Sequence, residues 1–221
     1  RSTRVPGADH EQVTRAVDLL RDVAAGVEIR VPRSAVVIGG GNVAMDIART
    51  LARLQKQKYG DVQVTLTALE DLDHFLADPD EIKESLEEGI QILDARGPKE
   101  ILVEKTKAKG LRTWRVLSIF DEQGRFAPTY DESDEQIHPG EMVVEAIGQA
   151  ADVELLGEEL KESLEWNRGR LKVDENGRTN LDWLWAAGDM VRGPDVVSAV
   201  ADGHRVAASI NEYLSVREKA A

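Results

Sequence analysis

The chain has 221 residues, 41 of them acidic and 28 basic, so its formal net charge is −13. Nucleic acid and anionic membranes would be repelled by such a chain, which argues against both as partners. No apolar run approaches the ~18–20 residues of a membrane span, no signal-peptide pattern follows Arg1, and there is no cysteine for disulfides, thiolate metal sites or a redox dithiol. A globular, cytoplasmic protein is expected.

Hydrophobic periodicity divides the first ninety or so residues into alternating helices and strands. Strands are predicted over 33–39, 62–68 and 90–93, and helices over 10–25, 42–54 and 79–88. The second helix is expected to end at the polar stretch QKQKYGD. Strands and helices that alternate in this way predict a parallel α/β sheet.

The pattern changes after residue 100. Alternating residues over 101–106 and 112–120 predict an antiparallel hairpin, whereas the acidic, proline-containing stretch 126–140 predicts a loop. The remaining predictions are strands over 141–147, 171–173 and 184–187, a helix over 158–164 and a long closing helix over 195–214.

A glycine-rich turn joins the first strand to the following helix and fits G-x-G-x-x-A with Gly39-Gly40-Gly41-Asn42-Val43-Ala44. Gly39 permits the sharp turn, Gly41 lets a pyrophosphate approach the backbone, and Ala44 lets the helix pack closely on the strand. The helix N-terminus offers N–H groups to the phosphates, and Asn42 is placed to cap it. A turn of this kind without a ligand is the alternative.

A Rossmann site also places an acid after the second strand, about 20 residues on, to bind the ribose hydroxyls. The candidate is Glu70, which lies 26 residues past Ala44. A carboxylate would repel a 2′-phosphate, and no arginine or lysine occurs between Lys58 and Lys83. These residues favour NAD over NADP, unless Glu70 is only a solvated acid in an acidic loop.

Near the C-terminus, a short apolar strand is predicted to end in Gly188-Asp189. Asp189 would then lie at the carboxyl edge of a sheet, where open α/β folds bind ligands. The helix that begins near Asp195 would direct its N-terminus at the same crevice.

Four segments, 36–54, 81–90, 143–152 and 186–210, together resemble the FAD-dependent pyridine nucleotide oxidoreductases, in particular the glutamate synthase small-subunit type. The resemblance implies that the turn 39–44 holds the NAD(P) pyrophosphate. The residues that match the family's FAD-domain segments are Gly148 and Gln149 where the chain returns to that domain, Gly188 and Asp189 at the ribityl chain, and Val196 and Val197 at the flavin's pyrimidine edge.

Two departures from the family pattern qualify what the resemblance implies. Relatives carry an arginine pair for the NADP 2′-phosphate where this chain has Leu69 and Glu70. The family also begins with an FAD-binding glycine fingerprint in an earlier segment, and this sequence has no second fingerprint. The chain is therefore expected to be a C-terminal fragment that prefers NAD and holds an incomplete FAD site.

The resemblance implies an α/β fold with a Rossmann-like parallel sheet and an antiparallel β insertion, plus the C-terminal part of a split FAD-binding domain. The expected division is a linking segment with a helix over 1–30, an NAD(P)-binding domain over 31–148 and the FAD part over 149–221.

The implied function is hydride transfer from NAD(P)H to FAD and on to an iron–sulfur or other acceptor. The implied partner is an N-terminal FAD/iron–sulfur segment or an electron-transfer subunit. No catalytic acid or base and no metal site is expected, since the four histidines, His10, His74, His138 and His204, are scattered. A non-catalytic NAD-binding regulatory module and a SAM-dependent methyltransferase are the alternatives, and neither needs the AIGQ and AAGD segments.

Overall fold

The computed structural model describes residues 2–193 and 195–220, with side chains as far as residue 216. The chain divides into two compact units, Arg1–Gly148 and Gln149–Ala221. Within the described residues, no helix is long and apolar enough to cross a membrane.

The first unit contains a parallel and an antiparallel sheet, which confirms the expected α/β class. Its strands are β1 (Val13–Arg15), β2 (Ala35–Ile38), β3 (Val64–Thr67), β4 (Gln91–Leu93), β5 (Arg96–Glu104), β6 (Lys107–Phe120), β7 (Phe126–Pro139) and β8 (Met142–Glu145). Its helices are α1 (Ala16–Ala24), α2 (Asn42–Tyr59) and α3 (Pro79–Glu87). The parallel sheet has the order β1-β8-β2-β3-β4, and the antiparallel sheet has the order β5-β6-β7.

Both faces of the parallel sheet are covered. On one face Val37 of β2 belongs to a buried cluster with Ile47 and Leu51 of α2. On the other face Val36 of β2 belongs to a second cluster with Leu111 of β6. A strand buried on both sides needs a continuous apolar run, which is why this strand was predictable from the sequence.

Helix α2 continues past the predicted end at residue 54 and stops at Tyr59. Gln55 in this polar stretch is fully buried. Its Nε2 donates to the Pro32 carbonyl oxygen at 3.0 Å, and its Oε1 accepts from the Gln63 N–H at 2.7 Å. Gly60 ends the helix in the left-handed region at φ 85°. The polar stretch therefore does not end the helix, and its buried Gln55 helps to pack the helix against the neighbouring segments.

The first predicted helix begins later than expected. Val13–Arg15 form the edge strand β1, which pairs in parallel with Val143–Glu145 of β8, and α1 begins only at Ala16. The apolar spacing was typical of a helix, but sheet pairing decides the conformation of these three residues. The segment 1–30 thus contributes a strand to the parallel sheet as well as the helix.

The prediction of a loop over 126–140 is wrong, because residues 126–139 form strand β7, which pairs with β6. Two of its acids are paired with arginines of the other two strands of this sheet. The buried Arg96 donates to Asp134 at 2.9 Å, and Arg112 lies 3.3 Å from Glu135. Charge pairing across strands offsets the low β-propensity of the acidic residues.

The second unit contains a 3₁₀ turn (Glu154–Leu156), α4 (Gly157–Ser163), β9 (Trp166–Asn167), β10 (Arg170–Leu171), a second 3₁₀ turn (Gly188–Met190) and α5 (Val196–Ala220). The strand predicted at 171–173 is the two-residue strand β10, which pairs with β9 in an antiparallel hairpin. At 184–187 there is only an isolated bridge between Trp185 and Arg178, not a strand.

Candidate cofactor-binding site

The turn between β2 and α2 can be built only with glycine at its first position. Gly39 has φ 144°, its N–H donates to the Thr67 carbonyl oxygen at 2.8 Å, and a Cβ there would run into the Ala146 carbonyl oxygen. Gly41 has an ordinary φ of −103°, and a Cβ there would meet nothing within 4 Å. Gly39 thus serves the fold, whereas Gly41 leaves open space beside the backbone.

The start of α2 fits a phosphate group. The first helical hydrogen bonds run from the Ala44 and Met45 N–H groups to the Gly41 carbonyl oxygen, so the earlier N–H groups lie outside the helical pattern. The first turn carries no acid. Ala44 is fully buried, whereas Val43 is exposed. Open space, N–H donors and the positive helix end together fit the pyrophosphate of a dinucleotide.

Asn42 does not cap α2, because Gly41 occupies the N-cap position and no side chain bonds there. The Asn42 Oδ1 instead accepts from the Asp78 N–H at 2.7 Å, in the loop before α3. The sequence did not indicate this contact, because the two residues lie 36 positions apart.

Glu70 lies three residues after the end of β3 and borders the glycine turn. An ideal Cβ built on Gly40 would lie 3.1 Å from the Glu70 Oε2 and 3.7 Å from the Phe75 ring. In the described part of the chain the Glu70 carboxylate has no hydrogen-bond or ion-pair partner. The structure thus brings Glu70 to the turn although it comes late in the sequence, since the longer α2 takes up the extra residues.

In the second unit, Gly188 is buried at φ 63° and the following Asp189 is exposed. The buried Asp202 of α5 accepts from the Gly188 N–H at 3.3 Å, lies 3.5 Å from Arg192, and makes a short contact with Arg205. Asp202 therefore holds both ends of the turn that carries Asp189. Sequence reasoning missed this residue, since nothing marks one acid of a long helix as buried.

The first residues of α5 are highly exposed apolar side chains, with Val196 at 79% and Val197 at 81%. The Asp195 carboxylate accepts from the Ser198 N–H at 2.7 Å, and backbone hydrogen bonds from Ser198 lower the pKa of Asp195. The Asp195 carboxylate thus accepts a hydrogen bond at the start of the helix that was expected to face the flavin.

The return segment between the two expected domains is exposed at both Gly148 and Gln149, and Gly148 has φ 85°.

Among the described residues, no group of three or more His, Asp or Glu side chains is arranged to hold a metal ion. Of the four histidines, His138 is buried.

Comparison with known proteins identifies the family. The family model described as pyridine nucleotide-disulphide oxidoreductase matches residues 1–203. The chain belongs to the pyridine nucleotide-disulphide oxidoreductase family. The recognition made from the sequence segments is thereby confirmed.

The curated relatives are identical to the chain at about one residue in three. The glutamate synthase [NADPH] small chain of Halomonas elongata is 34% identical over 96% of this chain and 47% of that protein. The NAD-dependent dihydropyrimidine dehydrogenase subunit PreT of Escherichia coli K12 is 34% identical over 95% of this chain and 44% of its own length. The chain thus spans just under half of these two relatives.

Solved structures share the fold at lower identity. Mycobacterium tuberculosis FprA in complex with NADPH superposes with a TM-score of 0.75 at 18% identity, over 100% of this chain and 62% of that one. The thioredoxin reductase of T. acidophilum gives 0.70 at 19% identity, over 98% and 62%. These structures support the fold expected from the sequence.

Proposed function

We propose that this chain is the NAD(P)H-binding part of a flavin-dependent oxidoreductase similar to the glutamate synthase small chain. The observation that carries the proposal is the open space at Gly41, beside a helix start without acids. Bound NAD(P)H and FAD supply the hydride-transfer chemistry, with an iron–sulfur or other acceptor as the next electron carrier. The chain's own residues bind and orient these groups.

In the first unit, the N–H groups of the turn 39–44 would hold the pyrophosphate. Glu70 would accept hydrogen bonds from the ribose hydroxyls, because its carboxylate borders the turn and has no other described partner. Its charge would repel a 2′-phosphate, so NAD is proposed over NADP. The relatives do not decide this choice, because one name specifies NADPH and another NAD.

In the second unit, Gly188 and Asp189 are proposed to bind the FAD ribityl chain, with Gly148, Gln149, Val196 and Val197 completing this chain's share of the site. The exposed carboxylate of Asp189 fits a hydroxyl-rich ligand, and Asp202 fixes the turn that presents it. The remainder of the FAD site would come from an N-terminal FAD/iron–sulfur segment or a partner subunit. Relatives named as subunits or small chains support this division.

Nucleotide titration tests the proposal directly. Nicotinamide fluorescence should show that the chain binds NADH at least tenfold more tightly than NADPH. Glu70→Arg should shift the ratio toward NADPH, whereas Glu28→Arg, the same charge change at an exposed position, should leave it unchanged. Tighter binding of NADPH by the unaltered chain, or an unchanged ratio in Glu70→Arg, would refute the role of Glu70.

A second measurement separates the enzyme from the non-catalytic alternative. The chain alone should hold little or no FAD. In a protein that also carries the proposed FAD segment, NADH should bleach the visible absorption of the flavin. Flavin that stays unbleached while NADH binds would favour a regulatory module. Membership in an oxidoreductase family already argues against the methyltransferase alternative.

A further inference from the structure

The segment 69–78, here named the ribose loop, connects β3 to α3 and carries Glu70. Hydrogen bonds attach it on two sides. At one end the Ala95 N–H donates to the Glu70 carbonyl oxygen at 2.8 Å. At the other end the Ala77 N–H donates to the Gly40 carbonyl oxygen at 3.0 Å, and the Asp78 N–H donates to the Asn42 Oδ1 at 2.7 Å. The loop is thus fixed to the glycine turn itself.

Of these three attachments, only the one at Asn42 uses a side chain. Its acceptor sits at the first residue of α2, and its donor, Asp78, caps α3 by accepting from the Asp80 N–H at 2.9 Å. Asn42 therefore links the start of α2 to the start of α3, with the ribose loop between them. A single substitution can remove this link without altering the backbone.

The position of the ribose loop decides how close its acid lies to the turn. The Glu70 Oε2 and the Phe75 ring both face Gly40, and Ala77 is buried in the core beside α2. Because Phe75 and Ala77 are packed, loss of the link at Asn42 would loosen the loop without unfolding it. The carboxylate would then spend less time at the ribose position.

We propose that Asn42 is a positioning residue for nucleotide choice, which keeps Glu70 beside the glycine turn by holding Asp78 and thereby sets the preference for NADH over NADPH. The inference rests on the proposed function, since it assumes that a dinucleotide binds at this turn. It gives Asn42 a role different from the helix cap and phosphate contact expected from the motif.

Three variants of the full chain test the proposal by fluorescence titration with NADH and NADPH. Asn42→Ala removes the acceptor, and the preference for NADH should fall about three- to tenfold, as expected for one lost hydrogen bond. Asn42→Asp keeps an acceptor but adds charge at the helix start, so both nucleotides should bind more weakly at an unchanged ratio. Asn211→Ala, another exposed helical asparagine, should change neither affinity nor ratio.

The outcomes separate this inference from the proposed function. If Asn42→Ala weakens both nucleotides equally, Asn42 is a phosphate ligand and the proposal is overturned. Hydrogen exchange measures the anchoring without any nucleotide, and exchange at the Asp78 amide should rise at least tenfold in Asn42→Ala. Unchanged exchange would overturn the anchoring even if NADH binds. Failure of the unaltered chain to bind either nucleotide counts against the proposed function and does not depend on Asn42.

Discussion

His138 shows how a side chain outside the candidate site responds to burial. It is 6% exposed in the antiparallel sheet, with its Nε2 2.8 Å from the Thr113 Oγ1. Burial lowers the pKa of His138, and the positive charge of Arg96 lowers it further. The neutral imidazole is therefore favoured in the folded protein.

The stability of the first unit should consequently depend on pH through His138. Below pH ~6.5 the unfolded chain binds a proton at this histidine more readily than the folded chain does. The free energy of unfolding should therefore decrease as the pH is lowered, by at most ~1.4 kcal/mol per pH unit. Urea unfolding between pH 5 and 7 measures this slope. His138→Gln should reduce it, and the exposed His204→Gln should not.

His74 gives an opposing contribution in the same window. The hydrogen bond to Asp71 raises the pKa of His74, so its stabilisation is present below the unfolded value and is lost as the pH rises through the folded one. This contribution is common to both histidine variants and cancels in their comparison. Equal slopes for His138→Gln and His204→Gln would contradict the assignment to His138.

At the residue scale, a local motif let the sequence place the glycine turn and its acid together, because a Rossmann turn requires those residue types. The structure has the Glu70 carboxylate beside Gly40, and the binding of a dinucleotide by these residues stays a prediction. The partners of Asn42 and His138 were not predictable, because their hydrogen-bond partners, Asp78 and Thr113, lie 36 and 25 residues away in the sequence. Such contacts depend on tertiary structure.

At the scale of the element, the β2–α2 turn contains two glycines with different duties. A Cβ on Gly39 would meet backbone atoms in a region of φ that side chains avoid, whereas a Cβ on Gly41 would meet open space. The two positions form a matched pair for separating folding from binding.

We expect Gly39→Ala to destabilise the first unit by about 2 kcal/mol or more, because strain and a backbone clash add. Gly41→Ala should cost less, about 1 kcal/mol at most, because alanine is a poorer N-cap residue than glycine, but it should weaken NADH binding more than tenfold, since the methyl group would occupy the space left for the pyrophosphate. Urea unfolding and NADH titration of the two variants measure both effects. NADH binding at full strength in Gly41→Ala would show that the turn is not the binding site.

The extents of elements were harder to predict than their types. Helix α2 was expected to stop at its polar residues, yet Gln55 is buried and Tyr59 donates to the Val31 carbonyl oxygen at 2.9 Å. Strand β7 was expected to be a loop because it is acidic. In both cases polar side chains find partners on neighbouring elements, and a single-chain pattern does not show those partners.

At the scale of the whole molecule, the family and the α/β class were both accessible from the sequence. Several short segments spread over 36–210 carry the family pattern jointly, so the recognition did not depend on one motif. The division into Arg1–Gly148 and Gln149–Ala221 places the turn and Glu70 proposed for NAD(P) in one unit, and Gly188 and Asp189 proposed for the FAD ribityl chain in the other. Each proposed half-site can accordingly be altered independently.

The acidity of β7 also bears on how copies of the molecule behave in solution. In the three-stranded sheet β7 is an edge strand, and an edge leaves backbone groups available to a strand from another copy. Its exposed acids, Glu132 and Glu135, would repel the same strand of a second molecule.

Glu132→Val with Glu135→Val should therefore produce concentration-dependent association in light scattering. Glu28→Val with Glu175→Val, the same charge change at exposed positions outside the strands, should leave the protein dispersed. Equal scattering from both double variants would assign the effect to net charge alone. The acidic residues that led to the prediction of a loop would thus oppose self-association through the edge strand β7.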